Sequence, residues 1–185
     1  KVSEIDRQKE DGCTGAVAVE EPDCLHKERY DYSDLLELVR LLRAPGGCPW
    51  DRVQTNDTIK QNMIEEAYEL VDAINRKDDD GIEEECGDVL LQAAFHTVLK
   101  EEQGAFTSGD VLSRVVKKLI FRHSHIFGKD KASDEDSALN VWEKNKMEEK
   151  HQTTFTESIK AVTVNFPACM RAPKGGKRDA KSGRD

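Results

Sequence analysis

The stretch of sequence that decides the fold reads Glu65-Glu66-Ala67-Tyr68-Glu69 and, further along, Glu85-Cys86-Gly87-Asp88. Both blocks lie in segments whose apolar residues recur at helical spacing. Each block holds two carboxylates three positions apart, which places them on one helix face. The polar residues 76–81 between the blocks end in glycine and predict a turn. If the helices run antiparallel, Glu66 lies opposite Asp88 and Glu69 lies opposite Glu85, since both pairs are centred on residue 77. The sequence therefore predicts four carboxylates at one level of an antiparallel helix hairpin.

A cluster of four carboxylates is costly without a counter-charge. Like charges within a few ångströms repel, so the cluster needs either raised pKa values or a bound cation. All-oxygen ligands suit a hard divalent ion, and we predict Mg²⁺, with Mn²⁺ as the alternative. The competing interpretation is a solvated acidic helix face without a metal. The matched spacing on both sides of the turn favours the metal site.

The composition limits the class of protein. The 185 residues fit one ordinary domain with terminal tails. The net charge of −9 argues against sequence-independent binding to nucleic acid, which requires a basic surface. No run is long and apolar enough to span a membrane, and the five cysteines form no Cys-x-x-Cys pair. We therefore expect a cytoplasmic protein whose partners are neither nucleic acid polymers nor membranes.

Apolar periodicity predicts five helices and no strands, and thus an all-α helical bundle. The helices are expected over residues 30–43, 56–76 and 80–103, from 107–110 onward, and over 137–149. Ser33 or Asp34 is expected to be the N-cap of the first. The middle of the third is apolar on nearly all sides, which is typical of a bundle centre or a subunit interface.

The chain divides into three expected regions. Residues 1–29 are predicted to form a flexible tail, residues 30–151 the folded domain, and residues 152–185 a segment that docks in part and then becomes disordered and basic. Between the first two helices, Cys48-Pro49-Trp50-Asp51 predicts a loop with Trp50 as a hydrophobic plug. His123 and His125 are interpreted as helix-end capping residues, not as metal ligands.

Two further residue pairs point to a nucleotide. Lys118 and Arg122 are four positions apart, as are Trp142 and Lys146, so each pair shares a helix face. A divalent cation, basic side chains and an aromatic ring are the components that a nucleoside triphosphate requires. Neither a Gly-x-Gly-x-x-Gly segment nor a P-loop occurs, and the patterns of EF-hand and di-iron bundle sites fail.

From about residue 32 to residue 170 the sequence resembles the MazG-type nucleoside triphosphate pyrophosphohydrolases of the all-α NTP pyrophosphatase superfamily. The resemblance rests on motifs in a fixed order: Gly47-Cys48-Pro49-Trp50-Asp51 with Gln54-Thr55, the two carboxylate blocks, Lys118-Leu119-Ile120-Phe121-Arg122-His123, and Trp142-Glu143-x-x-Lys146. The chain departs from the usual pattern at Asn56, Cys86 and Ser124.

The resemblance implies Mg²⁺-dependent hydrolysis of nucleoside triphosphates to nucleoside monophosphate and pyrophosphate, as in nucleotide-pool house-cleaning. It also implies that the helical bundle is completed by homodimerisation. By position, the implied metal ligands are Glu66, Glu69, Glu85 and Asp88, with Glu65 assisting or orienting water. The implied nucleotide contacts are Lys118, Arg122, Trp142 and Lys146, together with Trp50, Asp51 and Gln54.

Two alternatives to an enzyme remain open at this point. One is a nucleotide- and metal-binding regulatory module with little or no turnover. The other is a structural helical dimer in which the carboxylates form a solvated face. The sequence does not identify the preferred base, or whether canonical nucleotides, modified nucleotides or alarmones are the substrate.

Overall fold

The computed structural model describes residues 26–151, and within them every regular element is a helix. This confirms the all-α class. The expected docking and disorder of residues 152–185, and most of the expected N-terminal tail, lie outside the described residues. None of the described helices combines the length and apolar character needed to cross a membrane. The helices are α1 (Tyr32–Arg43), α2 (Pro49–Val53), α3 (Asn56–Ile59), α4 (Asn62–Arg76), α5 (Asp79–Glu102), α6 (Ser108–Arg122), α7 (Ser124–Phe127) and α8 (Glu135–Glu149).

The chain forms two compact units that meet in sequence between Ser108 and Gly109. In the first unit, α5 packs against α1, α3 and α4. The core of this unit is contributed mainly by α1 and α5. Its buried members are Leu36, Val39, Ile59, Ala94, Phe95, Val98 and Leu99. Because α5 packs against three other helices, the apolar character of its middle segment has a structural explanation within one chain.

The start of α1 corrects one prediction. The N-cap is Asp31, not Ser33 or Asp34. The Asp31 carboxylate accepts hydrogen bonds from the backbone N–H groups of Ser33 and Asp34, at 2.7 and 3.2 Å. The Asp34 carboxylate in turn accepts from the Asp31 N–H at 2.9 Å, which completes a capping box. Asp34 is thus the third residue of the helix, and the helix begins earlier than its first leucines suggest.

The segment after α1 is also more regular than predicted. Gly47 lies so close to the end of α1 that a Cβ atom there would be 2.4 Å from the carbonyl oxygens of Leu41 and Leu42. Residues from Pro49 form α2, a short helix with proline in its first turn, where the missing N–H costs nothing. The predicted loop at this position was therefore wrong. The predicted plug was wrong too, because 58% of Trp50 is exposed.

The helix predicted over residues 56–76 is two helices. Thr55 caps α3, and its hydroxyl accepts from the Thr58 N–H at 3.3 Å. The helical path is interrupted after Ile59 and resumes at Asn62 as α4. Ile59 itself is buried in the core. Both α3 and α4 contact α5 on either side of this two-residue interruption.

Two residues, Lys77 and Asp78, connect α4 to α5. Lys77 has left-handed backbone angles (φ 57°, ψ 43°), and the Asp78 N–H donates to the Ala73 carbonyl at 3.1 Å, which ends α4. The Asp78 carboxylate then accepts from the Gly81 N–H at 3.1 Å and caps α5. The predicted turn over residues 76–81 was therefore too long.

Gly81 lies inside the first turn of α5, not at the end of a turn. A Cβ atom at this position would be 2.9 Å from a carboxylate oxygen of Asp78 and 3.4 Å from the Cβ of the fully buried Ala73. Glycine therefore lets the capping carboxylate and α4 approach the first turn of α5 closely.

The second unit contains α6, α7 and α8 in its described part. Asn145 on α8 is buried, and its amide nitrogen donates to the Phe121 and Arg122 carbonyls and to the Ser124 hydroxyl, at 3.2, 3.4 and 2.6 Å. These bonds satisfy carbonyl groups at the C-terminus of α6 that have no partner within the helix. One side chain of α8 thus fixes the junction between α6 and α7.

Candidate functional site

Three of the predicted carboxylates come together where α4 packs on α5. One oxygen atom each from Glu66, Glu85 and Asp88 lies within 4.8 Å of the others. All three residues are partly buried. Glu66 comes from α4, and the other two come from α5, one turn apart. This is a group of oxygen ligands with spacing suited to one divalent cation.

The electrostatics of this cluster are unfavourable when no cation is considered. Burial, followed by the charges of Asp88, Glu69 and Glu65, raises the pKa of Glu66 above its ordinary value. Burial, followed by the charges of Glu69 and Asp88, raises the pKa of Glu85 as well. The Oε2 atom of Glu85 is fully buried and makes no hydrogen bond. A buried carboxylate oxygen without a donor is the arrangement that a cation stabilises, so these residues fit a bound metal ion.

Glu65 and Glu69 are more exposed than the three clustered residues. Glu69 nevertheless contributes charge at both Glu66 and Glu85. It also lines an open cleft of about 380 Å³ beside the cluster, together with Tyr68, Asp72, Arg76 and Glu85. The described structure therefore groups three of the four predicted ligands tightly and leaves Glu69 at the rim, next to the space that a ligand would enter.

Gln92 is a site residue that was not predicted. It lies on α5, one turn after Asp88, and is buried. Its side chain hydrogen-bonds to Glu66, which favours the ionised form of that carboxylate. Its spacing from Glu85 and Asp88, at seven and four positions, is a signal that the sequence contains. Gln92 was nevertheless passed over, because the residues around it are apolar and the segment was interpreted as core.

The three predicted nucleotide contacts in the first unit lie on or beside α2. Trp50 is exposed, and Gln54 directly follows the helix. The Gln54 side chain donates to the Trp50 carbonyl at 3.0 Å and accepts from the Thr58 hydroxyl at 2.8 Å. The backbone carbonyls of Asp51 and Gln54 accept from Arg43. The structure thus gathers Trp50, Asp51 and Gln54 into one hydrogen-bonded segment.

The second unit brings together three of its four predicted nucleotide contacts. The Arg122 guanidinium lies over the Trp142 ring, 5.2 Å from its centroid, and the Lys146 Nζ lies 4.4 Å from the same centroid. Arg122 is buried and donates to Glu149 at 2.7 Å, while Lys146 lies 3.8 Å from Glu143. This is a preformed cluster of cations and an aromatic ring.

Lys118 lies on α6 one turn before Arg122 and is partly buried. Because α6 is continuous from Lys118 to Arg122, the two residues share one helix face as predicted.

Of the two histidines predicted to cap the end of α6, His123 bonds to the last turn of that helix through its side chain. His123 precedes α7 without a side-chain capping bond, and its Nδ1 atom lies 2.7 Å from the Leu119 carbonyl oxygen. Its ring centroid lies 5.7 Å from that of His125, whose Nδ1 atom is buried and makes no hydrogen bond. The capping prediction is therefore confirmed for His123, whereas the buried Nδ1 atom of His125 has no hydrogen-bond partner.

Residues 54–127 match the model of the MazG nucleotide pyrophosphohydrolase domain. The matched range contains all five predicted catalytic carboxylates and the Lys118–Arg122 pair. Three curated relatives are similar over longer stretches. The Bacillus subtilis protein YabN is 42% identical over 145 residues, which is 78% of this chain and 29% of the relative. The nucleoside triphosphate pyrophosphohydrolase/pyrophosphatase MazG of Thermotoga maritima is 44% identical over 119 residues, 64% of this chain and 45% of the relative.

The third relative is the nucleoside triphosphate pyrophosphohydrolase of Escherichia coli, which is 39% identical over 152 residues, 82% of this chain and 58% of the relative. The chain thus spans between about a third and three-fifths of the length of the curated relatives that it matches.

Proposed function

This chain belongs to the MazG nucleotide pyrophosphohydrolase family, and we propose that it hydrolyses nucleoside triphosphates to nucleoside monophosphate and pyrophosphate in an Mg²⁺-dependent reaction. The observation that carries the proposal is the cluster of Glu66, Glu85 and Asp88, whose oxygen atoms lie within 4.8 Å of one another. The two relatives named as pyrophosphohydrolases support the same reaction.

In this proposal Glu66, Glu85 and Asp88 hold the metal, and Glu69 joins them from the rim of the cleft. Bound Mg²⁺ supplies charge neutralisation at the phosphates and lowers the pKa of water. The hydrogen bond from Gln92 opposes the rise in the pKa of Glu66 and orients its carboxylate. Glu65, exposed beside Glu66, orients or deprotonates the attacking water, which reaches the α-phosphorus in line with the leaving pyrophosphate.

The cationic side chains have a separate task in the same reaction. We assign Lys118, Arg122 and Lys146 to the phosphates and Trp142 to the base or sugar. Arginine and lysine stabilise the negative charge that develops on the leaving pyrophosphate. The contacts of Arg122 and Lys146 with the Trp142 ring hold these groups in one place before a nucleotide arrives. Trp50, Asp51 and Gln54 are proposed as further nucleotide contacts, contributed by the first unit.

We further propose that the hairpin of α4 and α5 is completed as a bundle by a second copy of the chain. Two helices carry rows of half-exposed apolar residues at helical spacing. These are Ile64, Tyr68, Val71 and Ile74 on α4, and Leu112, Val116, Leu119 and Ile120 on α6. An exposed apolar row of this kind on a helix marks an interaction site. A homodimer would remove it from water.

A panel of canonical, deoxy and modified nucleoside triphosphates tests the reaction. With Mg²⁺ present, we expect pyrophosphate and nucleoside monophosphate as products, and no turnover when the metal is removed with a chelator. Release of inorganic phosphate would contradict the assigned bond. Tight nucleotide binding without product over hours would instead identify a binding module. The ranking within the panel identifies the preferred base and sugar.

A further inference from the structure

The short helix α2 is held in place by polar contacts, not by a hydrophobic core. None of its five residues is buried, and 71% of Val53 and 58% of Trp50 are exposed. Its N-cap residue, Cys48, makes no side-chain capping bond. A five-residue helix cannot be stable by itself, because too few internal hydrogen bonds repay the ordering of its backbone. Its position must therefore depend on neighbouring groups.

Arg43, the last residue of α1, supplies such contacts. One guanidinium nitrogen, Nη1, donates to the carbonyl oxygens of both Asp51 and Gln54, the latter at 3.2 Å. These carbonyls lie at the C-terminal end of α2, where a positive charge is favoured. Arg43 thus provides a donor for the Gln54 carbonyl and a second donor for the Asp51 carbonyl, which also accepts from the Gln54 N–H at 3.2 Å.

The guanidinium itself is fixed from two other sides. Its Nε and Nη2 atoms donate to the two carboxylate oxygens of Glu102 on α5, at 2.7 and 2.8 Å. Its central carbon lies 5.4 Å from the centroid of the buried Phe95 ring. Only 7% of the Arg43 side chain is exposed. A bidentate carboxylate, an aromatic ring and two carbonyls together determine one orientation of this group.

The segment that Arg43 holds contains Trp50, Asp51 and Gln54. The Gln54 side chain links the two ends of this segment. Its amide nitrogen donates to the Trp50 carbonyl, and its amide oxygen accepts from the Thr58 hydroxyl. Gln54 is thus bonded to Arg43 through its backbone carbonyl and to the Trp50 carbonyl through its side chain. We propose that Arg43 is a positioning residue for nucleotide affinity, acting by fixing α2 on α5 through Glu102. This inference rests on the proposed function for the nucleotide, but the contact geometry stands without it.

Lysine substitutions at two arginines of α1 make a matched test. Arg40 also forms a two-bond ion pair with a glutamate of α5, Glu101, at 3.0 and 2.7 Å, but makes no hydrogen bond to residues 49–54. Arg43→Lys keeps the charge while losing the planar fork, so we expect the KM for ATP to rise about tenfold with kcat within about twofold. Arg40→Lys should change KM by less than about twofold. Equal KM values in the two variants would overturn the proposal.

Hydrogen–deuterium exchange of the full-length chain gives a readout that does not depend on turnover. We expect faster exchange of amides in residues 49–54 of Arg43→Lys, with residues 62–100 unchanged, and no such difference in Arg40→Lys. Unchanged exchange in residues 49–54 would refute the positioning role even in an active enzyme. A wild-type chain without hydrolysis would refute the proposed function, whereas the contrast in exchange would still decide whether Arg43 fixes α2.

Discussion

A carboxylate oxygen of Glu66 on α4 lies within 4.8 Å of one of Asp88 on α5, and Glu85 completes the same group. Removing one charge from this group distinguishes the effect of carboxylate repulsion on stability from the effect of metal binding. We expect Glu85→Gln to raise the melting temperature without metal by about 2–4 °C, because like-charge repulsion is relieved. The same variant should lose the stabilisation by Mg²⁺ that the wild type gains in thermal unfolding.

Glu83→Gln is the control for this experiment, because Glu83 is exposed on the same helix and outside the carboxylate group. It should retain the Mg²⁺-induced shift. A Glu85→Gln variant that Mg²⁺ stabilises as strongly as the wild type would exclude Glu85 as a ligand.

Glu69 stands at the rim of the cluster, and its substitution tests whether the reaction needs a fourth carboxylate. We expect Glu69→Gln to lower kcat for pyrophosphate release by at least about a hundredfold, because charge at the metal and phosphates is lost. The helical far-UV circular dichroism should stay unchanged. Asp72→Asn, one turn further along the same cleft, should keep activity within about threefold. Full activity of Glu69→Gln would refute its proposed role.

Lys146 tests the cationic cluster of the second unit. Replacing it with methionine keeps the apolar stem and removes the charge near the Trp142 ring. We expect the KM for nucleoside triphosphate to rise about tenfold or more, as for the loss of one hydrogen bond from a charged group. Lys144→Met, at an exposed position of the same helix, is the matched control and should behave as the wild type. Indistinguishable steady-state kinetics for the two variants would remove Lys146 from the site.

His96 makes folding stability depend on pH. Burial lowers the pKa of this imidazole, and its Nδ1 atom lies 2.7 Å from the Asn56 side-chain oxygen. The unfolded chain binds a proton near pH 6.5, whereas the folded site resists it until a lower pH. Stability from this group is therefore complete above about pH 6.5 and falls as the pH is lowered through the folded pKa.

His96→Gln removes the titration while keeping a donor for Asn56. Urea unfolding at several pH values should show a smaller loss of stability below pH 6.5 in this variant than in the wild type. His151→Gln replaces an exposed imidazole and should leave the wild-type pH profile intact. Parallel profiles of His96→Gln and the wild type would show that His96 makes no contribution.

The apolar row on α6 provides the test of homodimerisation. Half of Val116 is exposed, so aspartate is tolerated there by the fold of one chain, but not in a buried contact with a second copy. We expect Val116→Asp to shift the mass in sedimentation equilibrium from dimer to monomer. Lys117→Asp, a neighbouring exposed position, should leave the dimer intact at the same protein concentration. A monomeric wild type would refute the proposed interface directly.

The helices of the site were predictable because their apolar residues repeat over many turns. Glu66, Glu85 and Asp88 were identified for the same reason, since a long helix fixes which side chains share a face. The exact starts of two helices were predicted wrongly, because local capping signals in the sequence were not given enough weight. The N-cap of α1 was predicted at Ser33 or Asp34, yet the Asp31–Asp34 capping box was present in the sequence. At Pro49, a proline was interpreted as part of a loop although it occupies the first turn of a helix.

Other features depend on contacts between distant residues and have no local pattern. Arg43 contacts Glu102 and Phe95 only because α1 packs on α5. Its hydrogen bond to the Gln54 carbonyl could therefore not be derived from sequence spacing. The buried Gln92 was hidden for a related reason. A single amide among apolar residues resembles an exposed position until the neighbouring helix, with Glu66, is in place.

The length of the link formed by Lys77 and Asp78 determines which side chains of α4 and α5 meet. Each residue of a helix turns its side chain by about 100°, so a single insertion or deletion here would swing Glu85 and Asp88 away from Glu66 if α5 kept its axis. Substitutions that fit the left-handed backbone at Lys77 and keep a capping group at Asp78 would preserve this arrangement, whereas changes in length would not. The spacing between the two carboxylate blocks is therefore under a constraint that neither block reveals alone, because the number of linking residues sets which side chains of α5 face Glu66.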